Sequence, residues 1–252
     1  MGEIMSLAEI FTDAIKYPLS DIKKFLIVGL LALLAGLSNV VGHFYADGTA
    51  LMSVVAIIGM IFSIVFSGYA VQVIKRGIEH SNEIPAIDLR TNLIDGIKAM
   101  IIEIVYLFIP IFITLLFVLS SNYDGLIGAM YRSGSLDFVD LIAILGVAGV
   151  IAVIVFLIFE IFYIIALARF ADSGEFRAAF KFGEVLGDVK RIGIVNVIAF
   201  LIIAFVILFV IGLISGLLHY IPVIGIIIDA IVIGAFTVLF YNKAIGLLYA
   251  SA

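Results

Sequence analysis

The chain contains no cysteine and no tryptophan, only four prolines, and 13% charged residues over 252 positions. Without cysteine there is no disulfide framework, thiolate nucleophile, cysteine zinc site or cysteine-ligated iron–sulfur cluster. The histidines His43, His80 and His219 stand far apart in the chain. The topology derived below sets His80 across a membrane from the other two, so no shared metal is expected. A nucleophile elbow, a Walker loop, a dinucleotide fingerprint and an HExxH zinc helix are also missing. The reading is therefore a non-enzyme with no cofactor.

What the chain has is apolar mass: 65% hydrophobic residues and a mean hydropathy of +1.34. Soluble domains run to about 45–50% apolar, and a soluble fold of this composition would expose large apolar patches. The excess has to face lipid, which makes the chain an integral membrane protein. A spanning helix needs about 20 apolar residues. Six runs qualify: Phe25 to Gly42, Leu51 to Val71, Ala99 to Leu119, Leu141 to Ala168, Ile192 to Leu218 and Ile221 to Tyr241. None alternates with the period of a strand, so the fold class is all-α with six transmembrane helices.

Thirteen of the fourteen lysines and arginines fall on one side of those spans, and only Arg132 falls on the other. Positive residues favour the cytoplasm, so both termini are expected there, in a multi-pass protein of the cell membrane. Lys23, Lys24, Lys75, Lys98, Arg169, Lys190, Arg191 and Lys243 are the expected interfacial anchors. Tyr45, Tyr123, Tyr131 and Tyr220 would mark the outer boundary, and Tyr17, Tyr241 and Tyr249 the inner one. The cytoplasmic segments nearly balance, with thirteen basic and twelve acidic residues, so a nucleic-acid partner is disfavoured. Membrane lipid, another membrane protein or a second copy of the chain are the expected partners. No cleaved signal is read at the start, and the opening Met-Gly-Glu-Ile-Met-Ser matches a myristoylation pattern only by coincidence.

Three cytoplasmic stretches carry helical periodicity. Leu7, Ile10, Phe11, Ala14 and Ile15 oppose Glu9, Thr12, Asp13 and Lys16. From Pro85 onward, Ile87, Ile94 and Ile97 oppose Asp88, Arg90, Asn92, Asp95 and Lys98. After an Asp172–Glu175 capping pair, Phe176, Ala179, Phe180, Gly183 and Leu186 oppose Arg177, Lys181, Glu184 and Asp188. Short amphipathic helices beside a span lie in the membrane interface. Each stretch enters the next span through a charged hinge: Asp21 to Lys24, Asp95 to Lys98, or Asp188 to Arg191. The expected organisation is one membrane domain over 1–252. It would comprise three tandem units of interfacial helix and helical hairpin, at about 1–76, 77–170 and 171–252, related in parallel.

Three sets of segments stand out: Asp13-Ala14-Ile15-Lys16-Tyr17-Pro18-Leu19-Ser20-Asp21, Glu83-Ile84-Pro85 with Asp95-Gly96-Ile97-Lys98, and Ala168-Arg169-Phe170-Ala171 with Ala178-Ala179-Phe180-Lys181-Phe182-Gly183-Glu184. Together they resemble an uncharacterised archaeal membrane family, domain of unknown function 4013. The resemblance implies a multi-pass membrane protein with no assigned activity, and carries over no functional residue.

Ionisable groups inside spans mark pathways or structural pairs. Glu160 lies nine residues before Arg169, roughly 13 Å deep at the helical rise, and Asp229 lies seven residues after Pro222, roughly 10 Å from the other boundary. Glu103 is shallow enough to snorkel or to meet Asn196. Pro110 breaks the third span's hydrogen bonding, and Gly146 with Gly149, or Gly212 with Gly216, permit close helix packing. The leading expectation is a protein that organises lipid or a partner through its cytoplasmic helices. The alternative is a small transporter or channel with Glu160 and Asp229 in its path.

Overall fold

The computed structural model describes residues 5–42, 49–120, 138–221 and 223–251. His43, Tyr45, Asp47, Tyr123, Tyr131, Arg132 and Pro222 lie outside the described residues. Among those described there is no strand. In chain order the helices are α1 (Leu7–Lys16), α2 (Ile22–Ala35), α3 (Leu37–Val41), α4 (Ala50–Ile78), α5 (Leu89–Ser120), α6 (Phe138–Ser173), α7 (Phe182–Ile192), α8 (Ile194–Leu218), α9 (Ile224–Ile228) and α10 (Ala235–Ala250). A π-helical segment, Asp229–Gly234, joins α9 to α10.

Among the described residues, five helices are long and apolar enough to cross a bilayer: Ala50–Ile78, Leu89–Leu116, Ala152–Ser173, Ile194–Leu218 and Ile224–Ala250. The chain is a multi-pass membrane protein. The first expected span, Phe25 to Gly42, is not one helix. Gly36 closes α2 with φ −91° and ψ 14° and opens α3. Glycine gains the least from helical order, which makes it the weak point of that run.

The three stretches of helical periodicity each take a different form. Ser6 caps α1 in a reciprocal box with Glu9. Its apolar face does not lie toward lipid: Ile10, Phe11 and Ala14 are buried, and Phe11 stacks on Phe200 at a centroid distance of 5.1 Å and meets Phe240 at a tilt at 6.2 Å. The second stretch is no separate helix. Residues from Ser81 to Asp88 are non-helical, the Asp88 carboxylate accepts from the Arg90 and Thr91 amides, and α5 then runs unbroken through Gly96 and Pro110. The third opens as a 3₁₀ turn, Phe176–Phe180, before α7. There Gly183 and Leu186 are exposed, and the buried face is Val185, Asp188, Val189 and Ile192.

Close backbone approach sets the crossings of α4 with its neighbours. A Cβ on Gly68 would overlap the Asn92 carbonyl, and one on Gly77 would lie 2.7 Å from the Gly246 Cα. The expected packing glycines, Gly212 and Gly216, instead have nothing within 4 Å of a Cβ. Both termini pack at one end of the bundle, where α1 lies against α10. The core belongs to that terminal half: Tyr17, Tyr69, Tyr106, Phe170, Phe200 and Phe240 are its largest fully buried neutral side chains. Beyond it α6 and α8 diverge, leaving an apolar cleft of about 470 Å³ between Val153, Leu157, Ile161, Leu201 and Phe205.

Candidate functional site

Polar side chains gather in two places, one at each end of the bundle. At the terminal end the segment Ser81–Pro85 has no helical or sheet partner, so its carbonyls need donors from elsewhere. Each has one. Lys243 Nζ donates to Ser81 O at 2.7 Å, Ser20 Oγ to Asn82 O at 3.1 Å and Tyr17 Oη to Glu83 O at 2.9 Å. Lys24 Nζ donates to Ile84 O at 2.7 Å, and Tyr69 Oη to Pro85 O at 3.0 Å. Lys24 also pairs with the Glu83 carboxylate at 3.0 Å, and that hydrogen bond and charge hold the Glu83 carboxyl below its ordinary range. Burial pushes the Tyr17 hydroxyl well above its usual value.

Next to this strap, Asp188 is buried and accepts from Arg169 Nη1 at 2.7 Å, from Tyr249 Oη at 3.2 Å and from Arg191. Arg169 also binds Glu184. The expected anchors therefore divide. Lys23, Lys75, Lys190 and Arg191 are exposed, Lys24, Lys98 and Arg169 are half-buried in ion pairs, and Lys243 is 1% exposed. Tyr17 and Tyr249 are buried donors instead of belt residues. Sequence reading missed Asp188. Its position i+3 from Val185, with Val189 and Ile192 beside it, already set a carboxylate on an apolar face. No local pattern marks the strap, because its partners come from four distant segments.

At the far end a cavity of about 560 Å³ opens against Gly36, Asn39, Phe66, His219, Asp229 and Gly234. Two departures from α-helical geometry meet there: the Gly36 break, and the π segment that begins at Asp229. Such π segments put functional side chains where a regular helix would not. His219 Nδ1 lies 2.9 Å from the Ser215 carbonyl, and Nε2 lies 3.9 Å from Asp229 Oδ2. Asp229 Oδ1 is buried without a hydrogen-bond partner.

The remaining intramembrane candidates are apart from it. Glu160 accepts a long hydrogen bond from Tyr241 Oη, at 3.4 Å. Tyr241 follows Asp229 by twelve residues on the same helical run, about 18 Å at the helical rise. Asn196 donates to the Ile192 carbonyl one turn back at 2.9 Å, not to Glu103, which is exposed on α5. Among the described residues no group of three or more potential metal ligands occurs.

A family model described as a protein of unknown function, DUF4013, matches residues 51–220. The chain belongs to this family. The match spans α4 to α8, so the DUF4013 region takes in the α4–α5 crossing, the Ser81–Pro85 strap and the Asp188 cluster. The Asp13 to Asp21 segment and Asp229 lie beyond it. No curated protein and no solved structure matches the chain.

Proposed function

We propose that this DUF4013 chain is a non-enzymatic protein of the cell membrane that organises lipid. In this reading it makes six crossings with both termini cytoplasmic, α2 and α3 together forming the first. Residues 22–41 span about 30 Å at the helical rise, enough for one hydrocarbon thickness. Three tandem hairpins, each preceded by a cytoplasmic stretch, would then close the terminal end as a packed collar, which is also the surface offered to a partner protein or a second copy.

The observation that carries the reading is the contrast between the two halves. The terminal half buries Tyr17, Tyr69, Tyr106, Phe170, Phe200 and Phe240 with Ile84 and Pro85 of the strap, whereas the cleft between α6 and α8 is walled by Val153, Leu157, Ile161, Leu201 and Phe205. An apolar groove of that size in a bilayer fits an acyl chain, held by dispersion and not by a hydrophobic drive. Native mass spectrometry of the purified full chain tests it. The parent should retain phospholipid after delipidation, and Leu201→Trp, which fills the groove, should reduce that retention several-fold. Equal retention by the two proteins would sink the reading.

The transport alternative has one observation in its favour, the cavity that Asp229 and His219 line. Glu160 is not among the residues that line it.

A further inference from the structure

We infer that the far-end cavity is a binding site for an ammonium group, with Asp229 as its counter-ion. The inference does not rest on the lipid cleft, which lies between other helices.

A carbonyl oxygen only accepts, so the 2.9 Å contact with Ser215 puts a hydrogen on His219 Nδ1. In the neutral imidazole that leaves a lone pair on Nε2. Nε2 lies 3.9 Å from Asp229 Oδ2, too far for a direct hydrogen bond. Two acceptors face one another, and a third, Asp229 Oδ1, is buried with no donor. A buried carboxylate oxygen without a partner is costly, and a donor in the cavity removes that cost.

The walls narrow the class of donor. Two ligating side chains, His219 and Asp229, fall short of the three or four that hold a transition metal. About 560 Å³ is far more than a bare cation fills and lies within the range of small-molecule pockets. Phe66 supplies an aromatic wall, Asn39 an amide, and Ala32, Val40 and Ile226 apolar surface. A carboxylate beside an aromatic ring, with apolar walls for a carbon skeleton, is a receptor for an organic ammonium. The Gly36 break and the π segment are what admit it, because they turn Asn39 and Asp229 onto one space that two regular helices would fill.

The amine can come from a phospholipid headgroup or from a small soluble molecule. The test separates these with ethanolamine, dihexanoyl phosphatidylethanolamine and, as an amine-free control, dihexanoyl phosphatidylglycerol. Each is titrated against the purified full chain in detergent while the melting temperature is followed. Saturable stabilisation by ethanolamine and the ethanolamine lipid assigns a small-amine site; stabilisation by the ethanolamine lipid alone assigns a headgroup site. In either case Asp229→Asn should weaken binding by about tenfold or more, because a hydrogen bond to a charged group is lost. Should that variant fail to fold, the parent still answers: ethanolamine or its lipid should protect Asp229 from carbodiimide modification, read by peptide mass spectrometry. No stabilisation and no protection, or stabilisation by phosphatidylglycerol equal to that of the amine lipid, would overturn the inference. That would leave His219 and Asp229 as an ion pair closed on itself.

Discussion

Lys243 Nζ donates to the Ser81 carbonyl at 2.7 Å across 162 residues of sequence, from a side chain only 1% exposed. It also reaches the Arg76 carbonyl at 3.2 Å and sits 5.0 Å from the centre of the Tyr17 ring. One ammonium thus ties the last helix to the loop between α4 and α5 and to the turn after α1. All three of its hydrogens face acceptors or π density, which is how a buried lysine is tolerated.

Lys243→Met keeps the length and apolar stem of the side chain and strands the Ser81 carbonyl, while the Arg76 carbonyl keeps the Ser81 amide as its donor. It should cost about 1–3 kcal/mol of stability in detergent. Hydrogen exchange should accelerate over residues 79–88 before it does elsewhere, and unchanged exchange in that segment would contradict the tie described here.

Titration should weaken the terminal end on both sides of neutrality, by protonating carboxylates in acid and deprotonating a tyrosine in alkali. Glu9, Glu83 and Asp88 have carboxyls held below their ordinary values by Ser6, Lys24 and Thr91 respectively. A depressed carboxyl contributes stability that is present above its unfolded pKa and is lost as pH falls through the folded one, so the melting temperature should drop below about pH 4.5. Tyr17 runs the other way. Its buried hydroxyl titrates above its ordinary value, so its contribution holds to about pH 10 and is lost beyond. Tyr17→Phe should remove the share of the alkaline loss that Tyr17 contributes, as a pH series of melting curves will show.

Two glycine substitutions should differ in sign. Gly68→Ala drives a methyl into the Asn92 carbonyl and should cost about 1–3 kcal/mol or more. Gly212→Ala enters open space within α8 and should be neutral or stabilise by up to about 1 kcal/mol. Denaturant titration of both variants tests this; equal losses would mean that α8 is packed as tightly as α4.

At Glu160 the lipid-organising and transport readings part. With a structural role, Glu160→Gln keeps shape and hydrogen bonding and barely changes thermal stability, whereas Glu160→Leu leaves Tyr241 without its acceptor and costs about 1–3 kcal/mol. We expect that outcome. A folded glutamine variant that lost a proton- or ion-driven flux shown by the parent in proteoliposomes would favour transport.

Orientation is tested with single cysteines in a chain that has none. Tyr220→Cys should react with an impermeant thiol reagent applied outside intact cells, and Glu175→Cys only after lysis. The reverse pattern would invert the topology.

Apolar run length and composition were enough to give an all-helical membrane protein, because lipid leaves helices as the only way to satisfy these backbones. Periodicity found α1, while its Ser6–Glu9 cap came only with the structure. It failed at α7, where Asp188 is buried among Arg169, Arg191 and Tyr249; Arg191 is three residues on along the same helix, but Arg169 and Tyr249 come from other helices and leave no local pattern. It also made Lys243 an anchor, since a lysine at the end of an apolar run ordinarily reaches for water. Here the strap reaches the lysine first.

The sequence by itself determined the solvent and the secondary structure class, both of which follow from each residue's own transfer free energy and need no knowledge of neighbours. Only the tertiary structure decided that Gly36 divides the first apolar run, that α1 lies on protein, that Ser81–Pro85 is held by Lys243, Ser20, Tyr17, Lys24 and Tyr69, and that Asp229 faces His219 across a cavity. Those are pairings between distant segments, and a pairing has no free energy until packing brings its two partners within reach of each other.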